Sequence, residues 1–245
     1  MPDFTLWWRR FPGQGGTTLP REICISDIHG CAEQFKKLLR MIGRLEEDDQ
    51  LILLGDYCDR GPDSAKVYKT LRRLKKNYDS RVTLLYGNHC DLLFCYSGVD
   101  VSGDYDDTTF LYNGGRATIR SFNEAGIDLK TAARWLKNNS QVMFETERAV
   151  YVHAGLYTNR STNNYEKIWT RDLATTGTQP KLLIAGHTPV ACFTNSPAPY
   201  FNERKNYIII DNGCAYGDGP LLAYDIANDT AYYSDGTIVE HILFK

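Results

Sequence analysis

The segment Gly55-Asp-Tyr-Cys-Asp-Arg-Gly61 decides the fold, because it directly follows the apolar run Leu51-Ile-Leu-Leu54. The same order recurs on both sides of it: Glu22-Ile-Cys-Ile-Ser26 leads into Asp27-Ile-His-Gly30, and Val82-Thr-Leu-Leu-Tyr86 leads into Gly87-Asn-His-Cys-Asp91. Each apolar run is typical of a buried strand, and each polar segment is typical of the loop that ends it.

Two helical patterns separate these units. After the first loop, Phe35, Leu38 and Ile42 recur at the helical period, and Gly43 stands where a helix C-cap belongs. A second such pattern covers residues 63–77. Since strands that alternate with helices need crossover connections, the sequence predicts an α/β fold whose sheet begins parallel.

The second half of the chain is richer in strand patterns. The expected strands are Gln141–Thr146, Ala149–Ala154, Lys181–Ala185, Tyr207–Asp211, Leu221–Asp225 and Thr230–Ser234. The short connection between the last two indicates a hairpin. Helical patterns cover residues 115–125 and 129–139, and residues 98–113 are expected to form a long loop. Residues 1–20 are expected to be an arm with little regular structure, and residues 21–245 a single domain.

The composition is that of a globular protein, with 42% hydrophobic and 24% charged residues. A net charge of −2 gives no electrostatic footprint for a nucleic acid polymer or an anionic membrane. The start, Met1-Pro-Asp-Phe, lacks the layout of a secretory signal, and the seven cysteines form no CxxC pair. We therefore expect a cytoplasmic protein with reduced thiols; its oligomeric state is left open.

Polar side chains gather where the expected strands end. They are Asp27, His29, Asp56, Asp59, Asn88, His89, His153 and His187. Taken alone, each short fragment is more typical of an ordinary turn or solvated loop than of a site. Ligands of open α/β sheets bind at the carboxyl ends of the strands, so five strand ends would deliver these groups to one rim. The remaining histidine, His241, is expected to have no catalytic role.

The types of donor atom indicate metals. Carboxylate, amide and imidazole donors suit Mn²⁺, Fe, Zn²⁺ or Co²⁺ better than Ca²⁺. A bridging carboxylate can hold two such ions roughly 3.5–4 Å apart, so that a shared hydroxide attacks a phosphate in line. Arg60 and Arg171 are the candidates to hold the phosphate oxygens.

The motifs resemble those of the phosphoprotein phosphatase branch of the calcineurin-like metallophosphoesterases. The matching segments, in the family order, are Ser26-Asp-Ile-His-Gly30, Gly55-Asp-Tyr-Cys-Asp-Arg-Gly61, Gly87-Asn-His-Cys90, His153-Ala-Gly155 and Gly186-His-Thr188. Asn113-Gly-Gly115 and Asp211-Asn-Gly213 are also similar to segments of its bacterial and phage-type members. Ser26 departs from the usual Gly, and Cys90 departs from the usual Glu.

The resemblance implies a two-sheet β-sandwich flanked by helices, the four-layer architecture of that family. It also implies two divalent ions, with Mn²⁺ the first choice and Fe or Zn as alternatives. By this match Asp27, His29 and Asp56 would bind the first ion. The second ion would be bound by Asp56, Asn88, His153 and His187. His89 would be the general acid, oriented by Asp59.

The function expected first is hydrolysis of phosphoserine and phosphothreonine monoesters in proteins by a dimetal-bound hydroxide. The alternative is a symmetrical bis(5'-nucleosyl)-tetraphosphatase, since the same motifs serve phosphorylated small molecules. The acidity of residues 98–113 tips the choice slightly toward a protein substrate. Residues 98–113 and 190–206 are the expected specificity elements. A phosphate-binding scaffold without turnover is the outside alternative.

Overall fold

The computed structural model of the chain describes residues 19–100, 105–158, 160–171, 178–217 and 219–242. Within them, two β-sheets are flanked by helices, as the resemblance implies. Almost all of the expected arm, residues 1–20, lies outside the described residues, and the single domain over 21–245 stays a prediction.

The first sheet, in the described residues, has the strand order β12-β11-β10-β1-β2-β3-β4. Its strands are β1 (Glu22–Ile25), β2 (Gln50–Leu53), β3 (Val82–Leu85), β4 (Ser140–Gln141), β10 (Leu222–Asp225), β11 (Thr230–Tyr233) and β12 (Ile238–Glu240). Strands β1 to β4 pair in parallel, which confirms the expected parallel start. β10 and β11 pair antiparallel, as expected for the predicted hairpin.

The second sheet has the order β5-β6-β7-β9-β8 among the described residues. Its strands are β5 (Met143–Glu145), β6 (Ala149–Val152), β7 (Leu182–Ala185), β8 (Tyr200–Asn202) and β9 (Tyr207–Ile209). β6, β7 and β9 run parallel to one another, so their carboxyl ends share one edge of the sheet. The edge strands β5 and β8 pair antiparallel with them.

Most of the longer helices follow from amphipathic sequence patterns. In chain order the helices are α1 (Ala32–Ile42), α2 (Ser64–Tyr78), α3 (Asn88–Tyr96), α4 (Asp107–Phe110), α5 (Arg116–Glu124), α6 (Leu129–Asn139) and α7 (Asn164–Trp169). Gly43 caps α1 by donating its N–H to the Leu39 carbonyl, with φ 73°. No helix in the described ranges is long and apolar enough to cross a bilayer.

Apolar side chains pack on both faces of the first sheet because alternate residues of a strand point to opposite faces. On β1, Ile23 and Ile25 pack against the helices, where they meet Phe35 of α1 and Val67 of α2. Cys24 points the other way, into a core shared with the second sheet. On the far face of the second sheet, Val190 of a short 3₁₀ turn packs against the strands. Among the described residues, no long helix belongs to this packing cluster.

Two sequence expectations were wrong. The long loop expected over 98–113 contains α4 and a π-type turn, Leu111–Gly115, because Phe110 is buried in the core and Asp106 caps the helix through the Thr109 N–H. The single strand expected over Gln141–Thr146 is divided between the two sheets as β4 and β5.

Candidate functional site

The strand ends place the expected polar side chains in one cluster. Asp27 and His29 follow β1, Asp56 and Asp59 follow β2, and His153 and His187 follow β6 and β7. Asn88 and His89 form the first turn of α3, directly after β3. All of these side chains are at most 5% exposed. The structure therefore brings the whole predicted set together, and nearly all of its surface is buried.

The loops of the cluster have an unusual backbone. Asp27, His29, Asp56, Asp59, Arg60 and His187 all have φ between 43° and 71°. This left-handed region is costly for residues other than Gly, and such strain persists only where the surroundings fix it. Here the loops fix one another, since the His29 N–H donates to the Asp56 carbonyl at 2.8 Å and the Gly61 N–H to the His29 carbonyl at 3.0 Å.

A first group of donor atoms comprises His29, Asp56 and His89, whose ligand atoms all lie within 4.8 Å of one another. His29 Nδ1 lies 2.8 Å from the Cys58 carbonyl, to which it can donate, so that Nε2 presents its lone pair to the cluster. That Nε2 atom is 3.7 Å from Asp56 Oδ2 and 3.9 Å from Asp27 Oδ1. Asp27 thus borders the first group.

A second group comprises Asp56, His153 and His187, again within 4.8 Å. His153 Nδ1 lies 3.0 Å from the Leu54 carbonyl, which leaves Nε2 facing Asp56 Oδ2 at 3.4 Å and Asn88 Oδ1 at 3.1 Å. His187 Nε2 lies 3.2 Å from the Trp169 carbonyl, which leaves Nδ1 for the cluster. Asp56 belongs to both groups.

The charges of the cluster suit a cation. Burial, the neighbouring His89 and Arg60 lower the pKa of His29 well below its usual value. Burial, His153 and Arg171 lower the pKa of His187 to about 2. Both imidazoles are therefore neutral, as metal ligands must be. Burial opposes ionisation of Asp56, but the surrounding imidazoles outweigh it and hold its pKa well below the usual value.

His153 is the exception. Burial disfavours its charged form, yet the Asp56 carboxylate outweighs burial and raises the pKa of His153 to about 9. A proton on Nε2 is what lets this ring face the two acceptor oxygens of Asp56 and Asn88. A divalent ion there would take the place of that proton. The donor set thus fits a pair of divalent ions that share Asp56.

Two glycines give the cluster its room. A Cβ at Gly87 would overlap Asp56 Oδ1 and the ring of His153, and a Cβ at Gly186 would overlap Ser26 Oγ and Asp27 Oδ2. These overlaps explain why Gly stands before Asn88 and before His187. The Ser26 hydroxyl also donates to Asp27 Oδ2, so the residue that departs from the family motif has a hydrogen-bonding role.

His89, Asp59 and Arg60 form a chain beside the first group. His89 Nδ1 lies 2.7 Å from Asp59 Oδ2, and Asp59 Oδ1 accepts from the Thr118 hydroxyl at 2.6 Å. Arg60 reaches both His29 and His89 with its guanidinium, the latter contact being 2.7 Å. Its outer face packs on the ring of Tyr216 at 4.7 Å. The positively charged Arg60 thus lies between the two histidines and the exposed ring of Tyr216, at the side of the cluster that we call its mouth.

Arg171 lies beside His187. It is exposed, and its Nη1 donates to the His187 carbonyl at 3.3 Å. Both predicted arginines therefore border the cluster, although the aspartate-containing segment 172–177 lies outside the described residues.

Sequence reasoning gave no role to Asp211, which follows β9 at the same rim. Its carboxylate is buried and accepts from the Gly213 N–H at 2.8 Å, and burial, with Asp27 nearby, raises the pKa of Asp211 well above its usual value. The signal was present, since Asp211 ends an apolar run as the other site residues do. Tyr216 carried no comparable signal.

Comparison with known families agrees with this geometry. Residues 21–227 match the model of the calcineurin-like phosphoesterases, whose members act on phosphoric esters. The fold and the site thus define a metallophosphoesterase class. The chain belongs to the calcineurin-like phosphoesterase family.

Its curated relatives include two kinds of tetraphosphatase. The chain is 30% identical over 134 residues to the symmetrical bis(5'-nucleosyl)-tetraphosphatase of Wigglesworthia glossinidia brevipalpis, a match covering 54% of this chain and 43% of that protein. It is 28% identical over 233 residues to an asymmetrical bis(5'-nucleosyl)-tetraphosphatase of Anoxybacillus flavithermus, a match covering 81% of this chain and 87% of that protein. The chain therefore spans less than half of the symmetrical relative and most of the asymmetrical one.

Solved structures share the fold. A cold-active protein-tyrosine phosphatase of a psychrophilic Shewanella superposes with a TM-score of 0.61 at 15% identity, over 90% of this chain and 80% of that one. A protein serine/threonine phosphatase from Saccharomyces cerevisiae superposes with a TM-score of 0.53 at 14% identity, over 98% and 88% of the two chains. At such identities the likeness concerns the fold alone.

Proposed function

We propose that the protein is a metal-dependent hydrolase of phosphoric esters and anhydrides. The observation that carries this proposal is the pair of buried donor groups that share Asp56. Asp27, His29 and Asp56 would hold one divalent ion, and the other would be held by Asp56, Asn88, His153 and His187. Bound there, two such ions would supply Lewis acidity and lower the pKa of a water molecule. Mn²⁺ is our first choice, with Fe or Zn as alternatives.

In this proposal His89 donates the proton that the leaving oxygen needs. Asp59 supports this role because it accepts from Nδ1 and is itself held by Thr118. The ring is thereby fixed with Nε2 directed toward the mouth. His89 also offers a ring nitrogen within 4.8 Å of the donor atoms of His29 and Asp56, so a test of its role must measure bound metal as well as turnover.

Arg60 and Arg171 would hold the phosphate oxygens of the substrate. Arg60 is positioned by Tyr216 beneath its guanidinium and by its own N–H, which lies 3.3 Å from the Gly114 carbonyl. Substrate phosphate would take over the contacts that Arg60 now makes with the histidines, because a guanidinium pairs in bidentate fashion with phosphate oxygens.

For the substrate we favour a dinucleoside tetraphosphate, the second of the two candidates from the sequence. The names of both curated relatives support it. The acidity of residues 98–113 argues against it less than the sequence suggested: Asp100 pairs with Lys137 at 2.6 Å, and Asp106 caps α4. Aromatic rings also lie beside the cluster: the Trp169 ring is 6.5 Å from that of His187, and Tyr165, which is 56% exposed, stacks on Trp169 at 5.9 Å. Such rings suit a nucleobase.

A serine/threonine phosphoprotein is the second candidate. Tyr112 is 85% exposed and lies two residues from Gly114, which contacts Arg60. An exposed aromatic side chain beside a site is typical of a surface that docks protein. The cytoplasmic location and the single domain over 21–245 remain predictions alongside it.

The test is an assay of metal-stripped protein with Mn²⁺ restored, on diadenosine tetraphosphate and on a phosphothreonine peptide. We expect faster turnover of the dinucleotide. Two molecules of ADP would indicate symmetrical cleavage, and ATP with AMP asymmetrical cleavage. Preference for the peptide would replace the dinucleotide by the second candidate. No turnover of either, with metal shown to be bound, would leave the scaffold alternative.

A further inference from the structure

A second cleft lies away from the strand-end cluster, beside the C-terminal half of α2. Its volume is about 550 Å³, and it is lined by Lys69, Arg72, Arg73, Lys75, Lys76, Asp79, Trp135 and Asn139. α2 begins at Ser64, next to the loops of the cluster, and Lys69 to Lys76 lie about 8–18 Å further along its axis. We refer to it as the basic cleft.

The cations of the basic cleft are arranged in a row. Lys69, Arg72, Arg73 and Lys76 follow the i, i+3, i+4, i+7 spacing and are exposed on one face of α2, along about 10 Å. In the described part of the chain, no carboxylate forms an ion pair with any of these four. Like charges at such spacings destabilise a helix. Among the described residues, Arg72 lies over the ring of Tyr68 at 5.8 Å, and Asp79 of the cleft lining forms no ion pair with the row.

Helix capping accounts for one of the neighbouring cations and not for the row. Lys75 donates to the carbonyls of Asp79 and Val82 at 2.9 and 3.0 Å, as basic residues in a last helical turn often do. Lys69, Arg72 and Arg73 lie before that turn, where the helix dipole gives a cation little advantage.

The opposite wall of the cleft is α6, whose sequence contains no carboxylate. It contributes Asn139 and the half-buried indole of Trp135, which is held edge-on against Tyr68 at 5.5 Å. A row of cations that faces a fixed aromatic ring can hold a chain of phosphates beside a flat group. The cleft is open to solvent, and its volume lies in the range of roughly 300–1,000 Å³ that small-molecule sites occupy.

We propose that the basic cleft binds a linear polyphosphate group, as carried by a nucleoside triphosphate or by inorganic tripolyphosphate. The four exposed cations would contact the phosphates, and Trp135 would pack against a base where one is present. The site is separate from the catalytic cluster, so the proposal does not depend on the proposed function.

The experiment is hydrogen–deuterium exchange of the full, Mn²⁺-loaded protein with either of two probes, the non-hydrolysable ATP analogue AMP-PNP and inorganic tripolyphosphate. We expect slower exchange in peptides from residues 66–78 and 131–139. Lys69→Gln with Arg73→Gln should remove this protection and weaken binding about tenfold or more, because two charge-assisted contacts are lost. Lys36→Gln with Arg40→Gln is the matched control, an exposed i, i+4 pair on α1, and should behave as wild type.

Protection by AMP-PNP alone, or to a greater extent, would identify a nucleotide as the ligand, and equal protection by both probes would identify the phosphate chain. Either result supports the cleft as a site. Protection confined to peptides of the strand-end cluster would overturn the proposal, and so would no protection in the wild-type protein. Equal affinity of the Lys69→Gln, Arg73→Gln variant and wild type would also overturn it.

Discussion

The two ends of strands β1 and β2 use the same kinds of residue for opposite purposes. At the amino ends, Arg21 pairs with Asp49 through its Nε at 2.9 Å, and Glu22 accepts from Tyr151 at 2.6 Å and from Arg148 at 3.0 Å. At the carboxyl ends, Asp27 and Asp56 lie among imidazoles on left-handed backbone. At the amino ends, the charged side chains are paired with one another. At the carboxyl ends, the carboxylates are placed where they could bind a ligand.

The two ends differ in how their charged residues affect the stability of the fold. Removing one partner of a buried ion pair destabilises the fold because the other charge is left unpaired, whereas a cluster of donor atoms on strained backbone is maintained at a cost. Changes at the carboxyl ends should therefore affect metal binding and turnover, and changes at the amino ends should affect the free energy of unfolding.

The largest effect is expected from Asp56→Asn. It removes the charge shared by both donor groups while keeping the acceptor for the His89 N–H, which lies 3.0 Å from Oδ1. Loss of a partner that only orients a ligand costs about 10–100-fold in metal affinity, so loss of this ligand should cost at least about 10³-fold in kcat/KM. The rise in Tm that Mn²⁺ gives the wild type should disappear.

Asp48→Asn is the control for that change, because Asp48 is exposed and lies at the amino end of β2. A stabilising effect of Mn²⁺ that persists in the Asp56→Asn variant would show that Asp56 does not hold the ions.

His89→Asn should have the next largest effect, and one that depends on the leaving group. An alkoxide needs the proton more than a nucleotide phosphate does. We therefore expect a loss of about 10²–10⁴-fold in kcat on the phosphothreonine peptide and a smaller loss on the dinucleotide. Metal content, measured by mass spectrometry, should stay at the wild-type level. A variant that loses metal along with activity would make His89 a ligand instead of the acid.

Gly87→Ala tests how closely the donor atoms surround the ions. The added Cβ would displace Asp56 Oδ1 or the ring of His153, and we expect about 10–100-fold weaker Mn²⁺ binding in a calorimetric titration. Gly43→Ala is the comparison at the other end, because it meets nothing within 4 Å and has φ 73°. It should cost about 1 kcal/mol of stability through the backbone alone and leave the affinity for Mn²⁺ unchanged.

The smallest effect on activity is expected from Asp49→Asn. Burial opposes ionisation of Asp49, but Arg21 and nearby backbone N–H groups outweigh it and lower the pKa of its carboxyl. The variant should lose about 2 kcal/mol of unfolding free energy at pH 7. A carboxyl with a lowered folded-state pKa stabilises above its unfolded pKa of about 3.9, and that stability disappears as pH falls through the folded value.

Urea unfolding at several pH values checks this sign. The difference between wild type and Asp49→Asn should be constant from neutral pH down to about pH 4 and shrink below it. A difference that grows in acid would mean that Asp49 acts through something other than its charge. Turnover at neutral pH should match wild type in both Asp49→Asn and Asp48→Asn.

The sequence predicted the parallel strands and the cluster because both leave local marks. A run such as Leu51–Leu54 is apolar without interruption. Because the carboxyl ends of parallel strands share one edge of the sheet, the polar residues that follow such a run lie at that edge. α4 was missed because Phe110 holds it in place through tertiary packing, which no local period records. The short helix α7 had a usable signal, the capping box of Asn163 and Glu166.

The remaining features arise only when distant segments meet. Tyr216 reaches Arg60 through more than 150 residues of intervening chain, and the basic cleft needs both α2 and α6. The net charge of −2 gives no sign of that cleft, because a net charge does not show where the charged residues lie. The space for the Ser26 side chain also depends on a distant residue, because a Cβ at Gly186 would overlap Ser26 Oγ.

The central claim is that Asp56 joins two donor groups into one centre, and metal stoichiometry tests it most directly. Wild-type and Asp56→Asn proteins, stripped and then titrated with Mn²⁺, would be analysed by mass spectrometry for ions bound per chain. We predict about two ions for wild type, as a dinuclear site requires, and fewer than one for the variant. One ion or none in wild type, or equal occupancy in the two proteins, would contradict a shared dinuclear centre.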